Sequence, residues 1–176
     1  LGMNQRPQNI GIWAGEKSGV IVIDLDIHED TNGVKDFDRL LDENKSGDLA
    51  IPTVQTPSGG MHLYFKTNER LNHIKRQVDA FKKLGYHSID VLNNGCVVYP
   101  GSVYPGCRKG GWKPEGDKPH KCGAGDDEDC LFRGKQYEWV LSPDKCPIPE
   151  VPEWLMEILL KLFPVKTQRT RAPTQL

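Results

Sequence analysis

No apolar run in the 176-residue chain approaches the length of about 20 residues that a membrane helix needs, and no signal-peptide pattern opens it. Cysteine is scarce. Its count of five is odd, which argues against a complete secreted disulfide framework and for an intracellular, reducing setting. Neither charge dominates: 23 Lys and Arg stand against 24 Asp and Glu, for a net charge of −1. Any nucleic-acid surface is therefore a local patch and not a global field. Internal repeats are lacking too. With 37% hydrophobic and 27% charged residues, the chain can build a core and is not disordered. Its length suits one domain, or one domain with an insertion. It opens on Leu1, which reads as a domain excised from a longer protein.

The most informative run is Gly19-Val20-Ile21-Val22-Ile23-Asp24-Leu25-Asp26. Four branched aliphatic residues in a row predict a strand buried on both faces. Strand side chains alternate, so Asp24 and Asp26 point the same way. Two carboxylates at the mouth of a buried strand are costly unless neutralised. A divalent cation does this, and hard oxygen ligands select Mg²⁺ or Mn²⁺. The alternative is a solvated strand end.

The remaining elements follow from periodicity. Residues 9–15 read as a short strand with a glycine turn. Gly11 to Ser18 comes near a phosphate-loop pattern, but the glycine spacing is wrong and the segment opens a strand, not a helix. Val34, Phe37, Leu40 and Leu41 predict a helix over 32–44. Residues 53–56 and 61–66 read as two strands around the turn Pro57-Ser58-Gly59-Gly60. Ile74, Val78, Phe81 and Leu84 predict a second helix near 73–84, stopped by Gly85. His87 to Leu92 is a strand, Asn93-Asn94-Gly95 a hairpin turn, and Cys96 to Tyr99 the return strand. A further strand covers 137–141. Pro152 starts a last helix carrying Trp154, Leu155, Ile158, Leu159 and Leu162. Residues 1–164 thus form the main domain, with an insertion at 105–134. The basic tail 165–176 reads as a linker to a missing downstream region.

Three pieces carry chemistry together. The first is Asp24 with Asp26. The second is Ser58-Gly59-Gly60-Met61-His62, where two glycines let backbone amides approach an anion. His62, Tyr64 and Lys66 share one face of the following strand, so His62 and Lys66 above the turn make a triphosphate cradle, or else the polar face of an ordinary hairpin. The third is Asp90, inside Ser88-Ile89-Asp90-Val91. With Asp24 and Asp26 it completes three carboxylates, enough for two Mg²⁺ ions about 3.5–4 Å apart.

In this order, with Val98-Tyr99-Pro100-Gly101-Ser102, Tyr137-Glu138-Trp139 and Pro152-Glu153-Trp154-Leu155, the motifs resemble the bifunctional primase-polymerase (prim-pol) domain of the archaeo-eukaryotic primase superfamily. Such domains occur in plasmids, phages and large DNA viruses. The resemblance spans about 9–160. It implies an α+β fold, with a central RRM-like antiparallel or mixed sheet flanked by helices. It implies a DNA primase/polymerase that uses nucleoside triphosphates on a single-stranded DNA template, often ahead of a helicase region in the same polypeptide. If the source is viral, the setting is host cytoplasm or nucleus. By position, Asp24, Asp26 and Asp90 match the family's metal-binding aspartates, and His62 matches the histidine on the nucleotide's phosphates. Ser102 and Lys66 fall where further nucleotide contacts are expected. The second acid of the first motif is often Glu in relatives and is Asp here.

The insertion is polar and glycine-rich. Cys107, His120, Cys122 and Cys130 make a candidate Cys₃His zinc site, with Cys146 as a substitute ligand; free cysteines in a polar loop are the other reading. Cys96 reads as a packed thiol. Held by zinc, Lys109, Lys113, Lys118, Lys121 and Arg133 would grip template phosphates. The acidic run 126–129 reads as solvated. Two other functions use the same residues: a metal-dependent nuclease or phosphoesterase, and an inactive nucleic-acid binding module.

Overall fold

A computed structural model describes residues 9–47, 49–104 and 130–165. Seven strands and two helices appear: β1 (Gly11–Ala14), β2 (Val20–Leu25), α1 (Gly33–Glu43), β3 (Thr53–Gln55), β4 (Met61–Lys66), β5 (Ile89–Leu92), β6 (Gly95–Val98), β7 (Glu138–Leu141) and α2 (Glu153–Leu162). Five strands form an antiparallel sheet in the order β5-β2-β4-β3-β7, and β1 pairs with β6 in a separate ribbon. The class is α+β. No helix among the described residues is long and apolar enough to cross a membrane.

Strand β2 is an inner strand, between β5 and β4, and both of its faces are apolar. Ile21, Ile23 and Leu25 point to one side, where Leu63, Phe65, Ile89 and Val91 join them. Helices α1 and α2 cover that side with Phe37, Leu40, Leu155, Met156 and Leu159. Each such side chain, when fully buried, contributes about 1.5–3 kcal/mol. Asn32 caps α1 by accepting from the Lys35 amide at 3.0 Å. On the other side Val22 and Tyr64 pack with Val54 and Leu92, and the β1–β6 ribbon adds Ala14 and Val97. The helices thus lie on one face only, and a two-stranded ribbon lies on the other.

Two expected elements do not form. Residues 73–84 are not a helix: 3₁₀ turns at Glu69–Leu71 and Lys82–Leu84 bracket an extended stretch. Ile74 and Phe81 are buried as expected, but Val78 is 71% exposed and Leu84 is 42% exposed. The stretch runs along the outer edge of β5, with Gln77 and Val91 exchanging both backbone hydrogen bonds and Ala80 N–H donating to Ile89 O. Pairing with a free sheet edge satisfies those groups as a helix would have done. The β5–β6 hairpin is also absent, since β6 pairs with β1. The buried Asn93 amide donates to the carbonyls of Leu71 and Ile74, and Asn94, at φ 55°, donates to Asn72 and Ile74. These side chains tie the junction to the 71–74 segment, and the chain crosses from the sheet to the ribbon.

Candidate active site

The sheet register builds the site. Asp24 on β2 pairs across to Asp90 on β5 and to His62 on β4. Directly opposed residues share a face, so the three stand in one row, two residues along from Val22, Tyr64 and Leu92. Asp26 follows just past the end of β2. One carboxylate oxygen each from Asp24, Asp26 and Asp90 lies within 4.8 Å of the others. The structure thus brings the three aspartates together.

Their surroundings set their charge. Burial, first, raises the Asp90 pKa; the Asp79 amide opposes this, Asp26 adds to it, Arg76 opposes it and the Asp79 charge adds to it. Asp79 N–H donates to Asp90 Oδ1 at 2.8 Å, and Arg76 Nη2 stands 3.9 Å from Oδ2. His62 Nε2 lies 3.5 Å from Asp24 Oδ1. Burial pushes the His62 pKa down to about 4, so the ring is neutral at pH 7 and the contact is not an ion pair. The Tyr137 ring lies beside it, with centroids 5.7 Å apart. Burial, then Asp24 and Asp26, raises the Tyr137 phenol. The donor set suits a hard divalent cation: three carboxylates converge, two from paired strands and one from just past the end of β2, and no soft ligand is among them.

A cavity of about 200 Å³ opens onto Asp24 and Asp26 of the cluster and is lined also by Ser58, His62, Arg76 and Tyr137. A larger hollow of about 630 Å³ adjoins it and shares Thr56, Ser58 and Phe132 with it.

The other expected residues divide. Ser58 lines the cavity, with its hydroxyl 3.1 Å from that of Thr56. Gly59 has φ +91° and its amide donates to Thr56 O, so it makes the turn. A Cβ on Gly60 would stand 2.3 Å from Leu25 O, so this glycine lets the turn approach β2. Backbone geometry accounts for both glycines. Lys66 is four residues along β4 from His62, about 13 Å at strand rise, and pairs with Glu150 at 3.3 Å. The structure does not bring it to the carboxylates. Ser102 is buried and spends its hydroxyl on Ile10, accepting from N–H at 3.0 Å and donating to the carbonyl at 3.2 Å. It anchors the strand N-terminus and points at no cavity described. Cys107, His120 and Cys122 lie outside the described residues. Cys130 is buried, Cys146 is buried and donates to Ala50 O, and Cys96 is exposed instead of packed.

Sequence reasoning missed Arg76, Asp79, Thr56 and Tyr137. Arg76 and Asp79 were unreadable because their segment carries helical spacing. Thr56 and Tyr137 were each placed at a strand end with no chemical signal of their own.

The family model for the N-terminal domain of bifunctional DNA primase/polymerase matches residues 2–123, an interval containing Asp24, Asp26, His62 and Asp90. The chain belongs to that family. No curated protein matches it. Prim-pol proteins are nucleotidyl transferases of the DNA primase and polymerase type, and they generally act with divalent metals on nucleotides and a DNA template. In this prim-pol domain the matched interval supplies β1 to β6, while β7 and α2 close the sheet edge and the helical face from beyond it.

Proposed function

We propose that this domain synthesises primers on single-stranded DNA by template-directed nucleotidyl transfer from nucleoside triphosphates. The observation that carries the reading is the convergence of Asp24, Asp26 and Asp90 within 4.8 Å, beside a cavity that Asp24 and Asp26 line together with His62, Thr56 and Ser58. Mg²⁺ or Mn²⁺ held by the three carboxylates would offset the charge of the attacking hydroxyl, the α-phosphate and the leaving pyrophosphate. The chain's own groups do the rest. The Asp79 amide orients Asp90. His62, neutral and lining the cavity, would offer a phosphate oxygen a directed hydrogen bond and no charge. The Thr56 and Ser58 hydroxyls stand beside it. Tyr104, Phe132 and Tyr137 line the cavity. Zinc on Cys107, His120, Cys122 and Cys130, and a helicase region further along the polypeptide, belong to the same proposal; elemental analysis of protein purified without added metal tests the zinc.

The deciding experiment supplies a single-stranded template and labelled nucleotides with Mn²⁺ or Mg²⁺. The expected result is labelled primers of discrete length, with synthesis reduced at least about 100-fold in Asp24→Asn at an unchanged unfolding midpoint. A shortened template would mark a nuclease instead. Bound DNA with neither outcome would mark a binding module.

A further inference from the structure

The stretch along the outer edge of β5 is rich in cations. Between His73 and His87 it holds Lys75, Arg76, Lys82 and Lys83 against a single acid, Asp79, in a protein whose net charge is −1. All four cations are exposed. Arg76 forms only the long contact with Asp90 at 3.9 Å, and Lys82 forms only an exposed pair with Asp79 at 3.7 Å. Two apolar side chains, Val78 and Leu84, stand exposed among them. The acids of the neighbouring helix face this segment but are engaged: Asp36 accepts from His87 N–H and pairs with Arg39, and Glu43 accepts from the Tyr86 hydroxyl and pairs with Arg39. Among the described residues neither acid forms an ion pair with Lys75, Arg76, Lys82 or Lys83. The basic edge also leads somewhere, because Arg76 lines the carboxylate cavity.

We infer that this edge, from Lys75 to Leu84, is the track along which a single-stranded nucleic acid reaches the carboxylates. The assignment rests on the proposed function for its direction of travel, and on charge and exposure for its location. Lys75 and Arg76 on the strand-like part of the edge, and Lys82 and Lys83 on the 3₁₀ turn that ends it, are placed to meet backbone phosphates. Exposed apolar side chains between them meet unpaired bases, which a duplex would keep stacked inside. The observed bend and 3₁₀ turn leave Val78 and Leu84 exposed, where the expected helix would have turned them inward. Arg76, at the cavity end, meets the phosphate nearest the reacting terminus.

The test is anisotropy of a labelled oligodeoxynucleotide over a salt series, with the nucleotide-independent protein, its Lys75→Ala/Lys83→Ala variant and Val78→Ser. The substituted side chains are exposed, so unfolding midpoints should not move. The double variant should bind about 10-fold more weakly at low salt, with a log–log salt slope shallower by roughly 1.4. Val78→Ser should weaken binding several-fold at an unaltered slope. Wild-type binding with identical slope and affinity in the double variant overturns the track and leaves the proposed catalysis standing. Binding that follows these shifts in a protein that makes no primers upholds the track and overturns the catalysis. A wild-type protein that binds no single strand overturns both.

Discussion

Asp79 holds Asp90 through its backbone and not its carboxylate: its N–H donates to Asp90 Oδ1 at 2.8 Å while its own Oδ1 accepts from Ser88 N–H at 2.9 Å. The residue does this at φ 49°, a left-handed conformation that Asp tolerates better than most. Asp79→Ala removes the acceptor and keeps the strain, so it should cost roughly 1–3 kcal/mol in urea unfolding. Asp79→Asn retains both features and should be close to neutral, since the exposed pairs it loses with Lys82 and His87 contribute little. Primer synthesis should fall in the alanine variant and persist in the asparagine variant.

Gly60 and Gly59 should respond differently to alanine. At Gly60 the new Cβ meets a β2 backbone carbonyl at 2.3 Å, and neither strand can yield cheaply. Gly60→Ala should destabilise by about 1–3 kcal/mol and displace His62 with the strand. At Gly59 a Cβ would make only an ordinary 3.7 Å contact with Ile27 Cδ1, so its φ of +91° is the main cost and Gly59→Ala should cost about 1 kcal/mol. Thermal unfolding of both variants separates the two causes.

The metal-free protein should lose stability as pH falls through the range of His62. Its folded pKa of about 4 lies below its ordinary 6.5, so the unfolded state binds the proton more readily. The contribution is complete above pH 6.5 and is lost as pH falls towards 4, about 3 kcal/mol in all. Asp90 acts with the opposite sign: its pKa is raised, so its share is present at low pH and is lost as pH rises. His62→Gln should flatten the pH 4–6.5 slope in chelator. Equal slopes in both proteins would mean that the ring is not held neutral.

Ser102 and Lys66 should prove structural or silent for nucleotides. Ser102→Ala removes two hydrogen bonds to Ile10 and should destabilise by roughly 1–3 kcal/mol without altering the nucleotide KM. Lys66→Ala breaks one exposed pair and should change neither stability by more than about 0.5 kcal/mol nor KM.

Much of the site was legible because each part had its own local signal. The apolar run before Asp24 marked a doubly buried strand, and alternation fixed which side the carboxylate takes. The glycine turn placed His62 in the next strand. What could not be read was pairing between distant segments. Ile74 and Phe81 are seven apart and buried, as two helical turns would require, yet an edge strand with a 3₁₀ turn buries the same two residues. Asn93-Asn94-Gly95 carries the composition of a tight hairpin, but its amides are committed to carbonyls some twenty residues earlier. Arg76 and Asp79 were hidden by the first of these misreadings.

The β1–β6 ribbon joins residues 11–14 to 95–98, yet its closure entropy is small once the sheet exists. β1 leads into β2 through a short turn, β6 leaves β5 after two residues, and β2 is already paired with β5. The long loop is closed by the central pair, and the ribbon inherits ends held close together. The same economy lets the ribbon open while the sheet and helices stay folded. Amide exchange at Ile12 and Val97 should therefore be faster than at Ile23 and Leu63, and each opening would expose Val22 and Tyr64 beside the row of Asp24, His62 and Asp90.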